Sequence, residues 1–166
     1  FGKYQELIRI FMDKEGFEKV PLLGPSSEND YLDIDTSGKS GFYEKLKIQT
    51  ILFKGVKAAD LLEDIVLRFR PYAQNREEVN ELKKQRLQEL MKIVGNGAKT
   101  KEIVNWGKET VELFSNLDHK KERFPIVLYI GEIYMRQHDP YTDNVIEKLE
   151  KQSLEIVRAP ISEWLD

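Results

Sequence analysis

The sequence predicts an α/β protein: a Rossmann-like parallel sheet interrupted by a largely helical insertion. Three observations lead there. The run "PIVLYI", residues 125–130, is continuously apolar, β-branched and of strand length, as expected of a strand buried on both faces. About twenty residues later "LEIVRAP" repeats that character, with the helical pattern Asp143 to Gln152 between them, which makes a βαβ unit over 125–160. Upstream, three long stretches of helical periodicity fill residues 42–117.

Each element follows from its own residues. From Lys3 to Gly16 the apolar positions Tyr4, Leu7, Ile8 and Phe11 recur at helical spacing, and Gly16 is a natural stop. "KVPLLG" reads as a short strand of the same parallel sheet, closed by Gly24-Pro25, and residues 26–41 turn polar and punctuated, as a loop does. The first insertion helix runs from Phe42 to Phe69, with Leu46, Phe53, Val56, Leu62, Ile65 and Val66 on one broad face and Gly55 as a weak point; Pro71 ends it. The second, Arg76 to Val94, carries an apolar stripe through Val79, Leu82, Leu90 and Met91 and stops at Gly95-Asn96-Gly97. Thr100 is placed to cap a third, which contains Ile103, Trp106, Val111 and Phe114 and reaches about Leu117. "ISEWLD" opens another helix at the end of the sequence.

Composition narrows the function classes. With 166 residues the chain suits a single domain with a sizeable core. A net charge of -3 argues against nucleic-acid binding, and pairs such as Lys83-Lys84 sit among acids as a solvated helix face. No window approaches the roughly 18 apolar residues of a membrane span, and no signal peptide is visible, so no membrane partner is expected and the setting reads as cytoplasmic. The absence of cysteine removes disulfides and thiolate metal sites from this chain. It starts at Phe1 without an initiator methionine and ends where a helix has barely begun; both ends look cut.

In an open parallel sheet, ligands settle beyond the carboxyl ends of the strands. Two such ends are expected here. After the first strand come Ser26, Ser27 and Asn29; after "PIVLYI" come Gly131, Glu132, Tyr134, Arg136 and His138. Gly131 permits a sharp turn, and the residues after it offer a carboxylate, a phenol, a guanidinium and an imidazole within a few positions. The stretch exceeds the usual βα loop of about 2–6 residues, which favours a ligand-binding role. The alternative is structural: Asp143 caps its helix and Arg136 pairs with a neighbouring acid. "IVGNGAKTKE" lacks P-loop spacing and reads as a helix-terminating turn. "DIDTSGKSGFYE", Asp33 to Glu44, fits the calcium-loop template of an EF-hand, with Asp33, Asp35, Ser37, Gly38 and Glu44 in the key positions. Against calcium stand a turn-like "GPSSENDYL" before it, where a helix belongs, and Ser40 at an aliphatic position; a polar loop is the other reading. With only His119 and His138, a histidine-rich metal site is excluded, and no metal ligand is assigned.

Three segments, "FGKYQELIRIFMDKEGFEKVPLLGPSSENDY", "FKGVKAADLLEDIVLRFRPY" and "IVLYIGEIYMRQHDPYTDNVIEKLEKQSLEIVRAPISEWL", resemble in that order the acyl-CoA dehydratase activase-related family. Its members are large cytoplasmic proteins related to the D component of 2-hydroxyacyl-CoA dehydratases and are often fused to an ATP-dependent activase. The resemblance implies that the chain is an internal fragment. A cysteine-containing segment would lie just before Phe1, and an iron–sulfur cluster and ATP would belong to the longer parent and not to this piece. The implied partners are the rest of the parent chain, activase or dehydratase subunits and an acyl-CoA. The implied function is a scaffold around an acyl-CoA or iron–sulfur cleft, without catalytic competence alone. A non-catalytic interaction module for an activase, or a calcium-binding domain through residues 33–44, are the alternatives.

Overall fold

A computed structural model describes residues 2–20, 22, 39–137 and 142–164. The chain divides into two compact units, Phe1–Gln49 and Thr50–Asp166.

In the first unit, helix α1 spans Gly2–Lys14. It ends in a Schellman turn: Gly16 takes φ +82, and the amides of Gly16 and Phe17 return to the carbonyls of Asp13 and Met12. Arg9 fixes the segment that follows, donating to Asp13 Oδ1 and to the carbonyls of Phe17 and Val20, each at 2.7 Å. Lys19 lies in a turn and Val20 in a bend, so the strand expected over "KVPLLG" does not start there; Pro21, Leu23 and Gly24 lie outside the described residues. The guanidinium takes the carbonyls that a strand would offer to a neighbour. The helical spacing of α1 is as expected, but Tyr4, Leu7, Ile8 and Phe11 are exposed within this unit.

The second unit holds the last part of α2 (Lys39–Phe69) with α3 (Arg76–Gly95) and α4 (Thr100–Ser115), close to the three expected spans. The contacts between them give their directions. Gly55 meets Val94, and Lys83 pairs with Glu63 at 2.6 Å, so α2 and α3 are antiparallel. Leu61 lies against Gly107 and Phe69 against Phe114, so α2 and α4 run parallel. The core of this up-down-up bundle is Leu62, Ile65, Val66, Val79, Leu90, Trp106 and Phe114 with their neighbours. Helix α2 runs unbroken through Gly55, where a Cβ would come within 3.3 Å of Val94, so the missing side chain suits the α2–α3 contact. Thr100 is not the α4 cap either; Lys99 takes that place without a side-chain bond. The α3 terminus repeats the Schellman turn, with Gly97 at φ +97 and the Ala98 amide on the Ile93 carbonyl.

Beyond the bundle, β1 (Ile126–Tyr129) and β2 (Glu155–Arg158) pair in parallel, Ile126 opposite Glu155 and Tyr129 opposite Arg158. Helices α5 (Ile133–Gln137) and α6 (Val145–Lys151) lie between them in sequence, and a 3-10 turn, Ile161–Trp164, follows. The βαβ expectation holds at this level. Among the described residues the protein is mostly helical, with one two-stranded parallel sheet. One sheet face packs through Val127, Tyr129 and Ile156 against Leu67 of α2 and Ile146 and Leu149 of α6. The opposite face corrects the expectation of a doubly buried strand: Ile126, Leu128 and Ile130 are 65%, 62% and 68% exposed. Helix α2 is a shared wall, since the adjacent residues Val66 and Leu67 serve the bundle core and the sheet core respectively.

No helix among the described residues is long and apolar enough to cross a membrane.

Candidate functional site

Of the strand-end residues after β1, the side chains of Glu132 and Arg136 are described, and both serve contacts within the chain. Gly131 has φ +149, a region that favours glycine, and it turns the chain out of the strand. Glu132 follows, exposed, and its Oε2 accepts the Met135 amide at 3.1 Å, so it caps α5. The supposed long loop is therefore partly helix, and its length is less unusual than the sequence implied.

Arg136 is the most informative of the candidates. Its side chain is 3% exposed, and its two terminal nitrogens donate to the Ala159 carbonyl at 2.8 Å and to Glu163 Oε1 at 2.7 Å. Its Nε finds no acceptor among the described residues. The guanidinium thus ties α5 to the segment that leaves β2, which is the structural alternative foreseen for it. Tyr134 lies within α5, its side chain outside the described residues; His138, Ser26, Ser27 and Asn29 lie wholly outside them. The same holds for residues 33–38 of the EF-hand-like stretch, while Glu44 falls within α2. Asp143 is not a helix cap: it sits at φ 55 and pairs with Lys148, and Asn144 occupies the cap position of α6 without a side-chain bond.

A cavity of 430 Å³ opens where the carboxyl end of β2 and the end of α5 meet α2; Asp60, Glu63, Asp64, Gln137, Arg158 and Ser162 are among the residues lining it. This is the position that an open parallel sheet reserves for ligands. Sequence reading missed most of it. The Asp60 carboxylate accepts the amides of Ile161 at 3.1 Å and Ser162 at 2.7 Å, holding the final 3-10 turn against α2. Arg158 donates to the Arg136 carbonyl and to Glu63 Oε2, both at 3.2 Å, and Glu63 also receives Lys83. Asp64 pairs with Arg68 at 3.0 Å. These partners lie up to 102 residues apart in sequence, beyond any local spacing signal. The one available hint was Arg158 itself, a long cation ending an apolar strand.

The arrangement is that of a braced cavity. Its carboxylates are engaged with amides or cations, which suits them to holding shape and contacting a ligand's polar groups. Among the described residues, no three or more His, Asp or Glu side chains gather as metal ligands.

Two further polar anchors position these elements. Arg70 grips Glu150 of α6 with two bonds, 2.8 and 2.9 Å, and the Glu150 side chain is fully buried. Arg76 adds a bond to the Glu150 carbonyl at 2.7 Å. Tyr72 donates to Glu155 Oε2 at 2.7 Å, accepts the Phe124 amide at 3.2 Å and stacks on the Phe124 ring. Burial, and then the bond to Glu155, push the Tyr72 phenol above the ordinary tyrosine value of 10.0. Comparison with protein-family models, with curated proteins and with solved structures returned no match for this chain.

Proposed function

We propose that this chain is a scaffold segment of a larger 2-hydroxyacyl-CoA dehydratase or activase-related protein, forming one wall of a ligand cleft and performing no chemistry alone. The observation that carries the reading is the division of labour at the sheet end. Arg136 and Glu132 are committed to internal contacts, and the 430 Å³ cavity beside them has its carboxylates held by backbone amides and cations. The three sequence segments that resemble the family supply the chemical setting: an acyl-CoA as ligand, with the iron–sulfur cluster and ATP belonging to other parts of a longer cytoplasmic protein. On this reading the two strands belong to a wider Rossmann-like sheet, which accords with the exposed Ile126, Leu128 and Ile130.

The test has two arms. Incubated with a 2-hydroxyacyl-CoA, ATP and a dehydratase activase, this chain alone gives no enoyl-CoA by chromatography; product formed without another dehydratase polypeptide would sink the scaffold reading. Anaerobic iron–sulfur reconstitution of a longer polypeptide that includes a cysteine-bearing segment then gives a visible absorption band that shifts on adding the thioester. No band, under conditions that load a dehydratase component, favours the second reading, an interaction module that engages an activase. The exposed apolar surface of β1 is the observation on that side.

A further inference from the structure

A second concavity lies on the bundle itself, independent of the strand-end reading. It is a 690 Å³ groove between α2 and α4, with an apolar floor that includes Phe53, Leu61, Val104 and Val111. Leu61, Val104 and Val111 are about half-exposed, although each sits on a helix whose other side is in the core. Spacing gives the groove its shape. Val104 and Val111 are seven residues apart on α4, and Phe53 and Leu61 eight apart on α2, so each helix contributes about two turns of apolar ridge. The two helices run parallel and approach closely at Gly107, whose missing Cβ would meet Leu61 at 3.3 Å.

We infer that this groove seats an amphipathic helix of a partner protein, with acidic residues flanking its apolar stripe. Two parallel ridges at heptad-like spacing match the i, i+3, i+4, i+7 anchors by which a helix lies in a groove. The up-down-up bundle gains a fourth helix in this groove between α2 and α4, the arrangement of a four-helix bundle. The rim identifies the charge of the occupant. Lys54, Lys57 and Lys108 line the groove against a single carboxylate, Glu112. The lysine stems also extend the apolar wall: Lys57 Nζ lies 4.3 Å over the Phe53 ring, and Lys54 Nζ donates to the Ala98 carbonyl at 3.4 Å. An acidic flank complements that rim, and a basic one is repelled by it.

The test uses the full chain and a fluorescein-labelled designed peptide of about five helical turns, with a leucine stripe and glutamate flanks. Its anisotropy rises on titration with the protein. The double change Val104→Asp with Val111→Asp, at half-exposed positions and with the fold checked by circular dichroism, weakens binding by about tenfold or more. Lys108→Glu weakens it less, and added salt reduces that difference. Three results overturn the inference: equal binding of the same peptide with lysine flanks, undiminished binding to the double variant, or displacement of the peptide by a long-chain fatty acid at stoichiometric concentration. The last would make the groove an acyl-chain site. The first two leave the thioester experiment untouched.

Discussion

The helical bundle and the βαβ unit share α2 but are held to it by different physics. The bundle is an apolar core pinned by one buried cation: Arg86 donates to Thr110 Oγ1 at 2.9 Å and to the Trp106 carbonyl at 2.8 Å, pairs with Glu89 and faces the Trp106 ring. In return the Trp106 indole donates to the Arg86 carbonyl at 3.1 Å. Its polar groups therefore satisfy one another across a single α3–α4 interface. The βαβ unit has a thinner core, in which Leu67, Ile146 and Ile156 are the buried apolar residues among the described residues. It depends on polar ties reaching back to the bundle: Arg70 to Glu150, Arg158 to Glu63, Asp60 to the final turn and Tyr72 to Glu155. A small sheet with one uncovered face buries too little apolar surface to hold its position by packing alone.

The largest effect expected is on the bundle. Phe114, fully buried between the helices, loses about 3–5 kcal/mol as Phe114→Ala. Urea denaturation should show this as a fall in midpoint with little change in slope. A midpoint shift below a third of that would mean that the core relaxes around the gap. Next is Arg70→Ala, which leaves the buried Glu150 carboxylate without its partner and costs about 3 kcal/mol. The two variants should differ in kind: hydrogen exchange in Arg70→Ala accelerates over α6 and β2 before α3 and α4, whereas Phe114→Ala loosens the helices too. Uniform acceleration in both would erase the contrast.

Tyr72→Phe is milder, at about 1 kcal/mol, and carries a pH signature. Because the phenol is raised in the folded chain, its contribution is fully present below the unfolded value of 10.0 and is lost as pH rises through the higher folded value. The phenolate absorbance of Tyr72 should therefore appear only above the ordinary tyrosine value of 10.0, and that late phase should vanish in Tyr72→Phe. A titration unchanged by the substitution would remove Tyr72 from the set of ties. The smallest effect is Leu128→Thr on the uncovered sheet face, within about 0.5 kcal/mol. In a larger assembly that covers this face the same change would cost much more, so the pair of measurements reports whether the surface is in use.

How legible all this was in the sequence depends on the range of the signal. The three bundle helices and the βαβ pairing were readable because periodicity, Pro71 and the Gly95–Gly97 stop act within a few residues. At Lys19 and Val20 the "KVPLLG" strand is not formed, because strand propensity in a short apolar run is ambiguous and Arg9 captures the carbonyls of Phe17 and Val20. Burial of "PIVLYI" was inferred from composition, which cannot say which layers are present to cover a strand. Of the candidate residues, Gly131 follows β1 and Arg136 lies in α5, but what Arg136 bonds to, Ala159 and Glu163, lies more than twenty residues away. Asp60 and Glu63 gave no sign at all, since on α2 they look like an ordinary solvated face.

The short bridge between Ala73 and His119 has its own consequence. Gln74 donates to the Asp118 carbonyl at 3.0 Å and Lys120 to that of Tyr72 at 2.8 Å, so the chain leaves for α3 and returns from α4 at the same point. Topologically, α3 and α4 hang from the rest of the second unit as a closed loop with a clasp at its neck. A protease that cleaves at the exposed Asn96, at the far tip, would leave each half held by the clasp and by the shared core. The nicked protein should still migrate as one species on a native gel and separate into two only in denaturant.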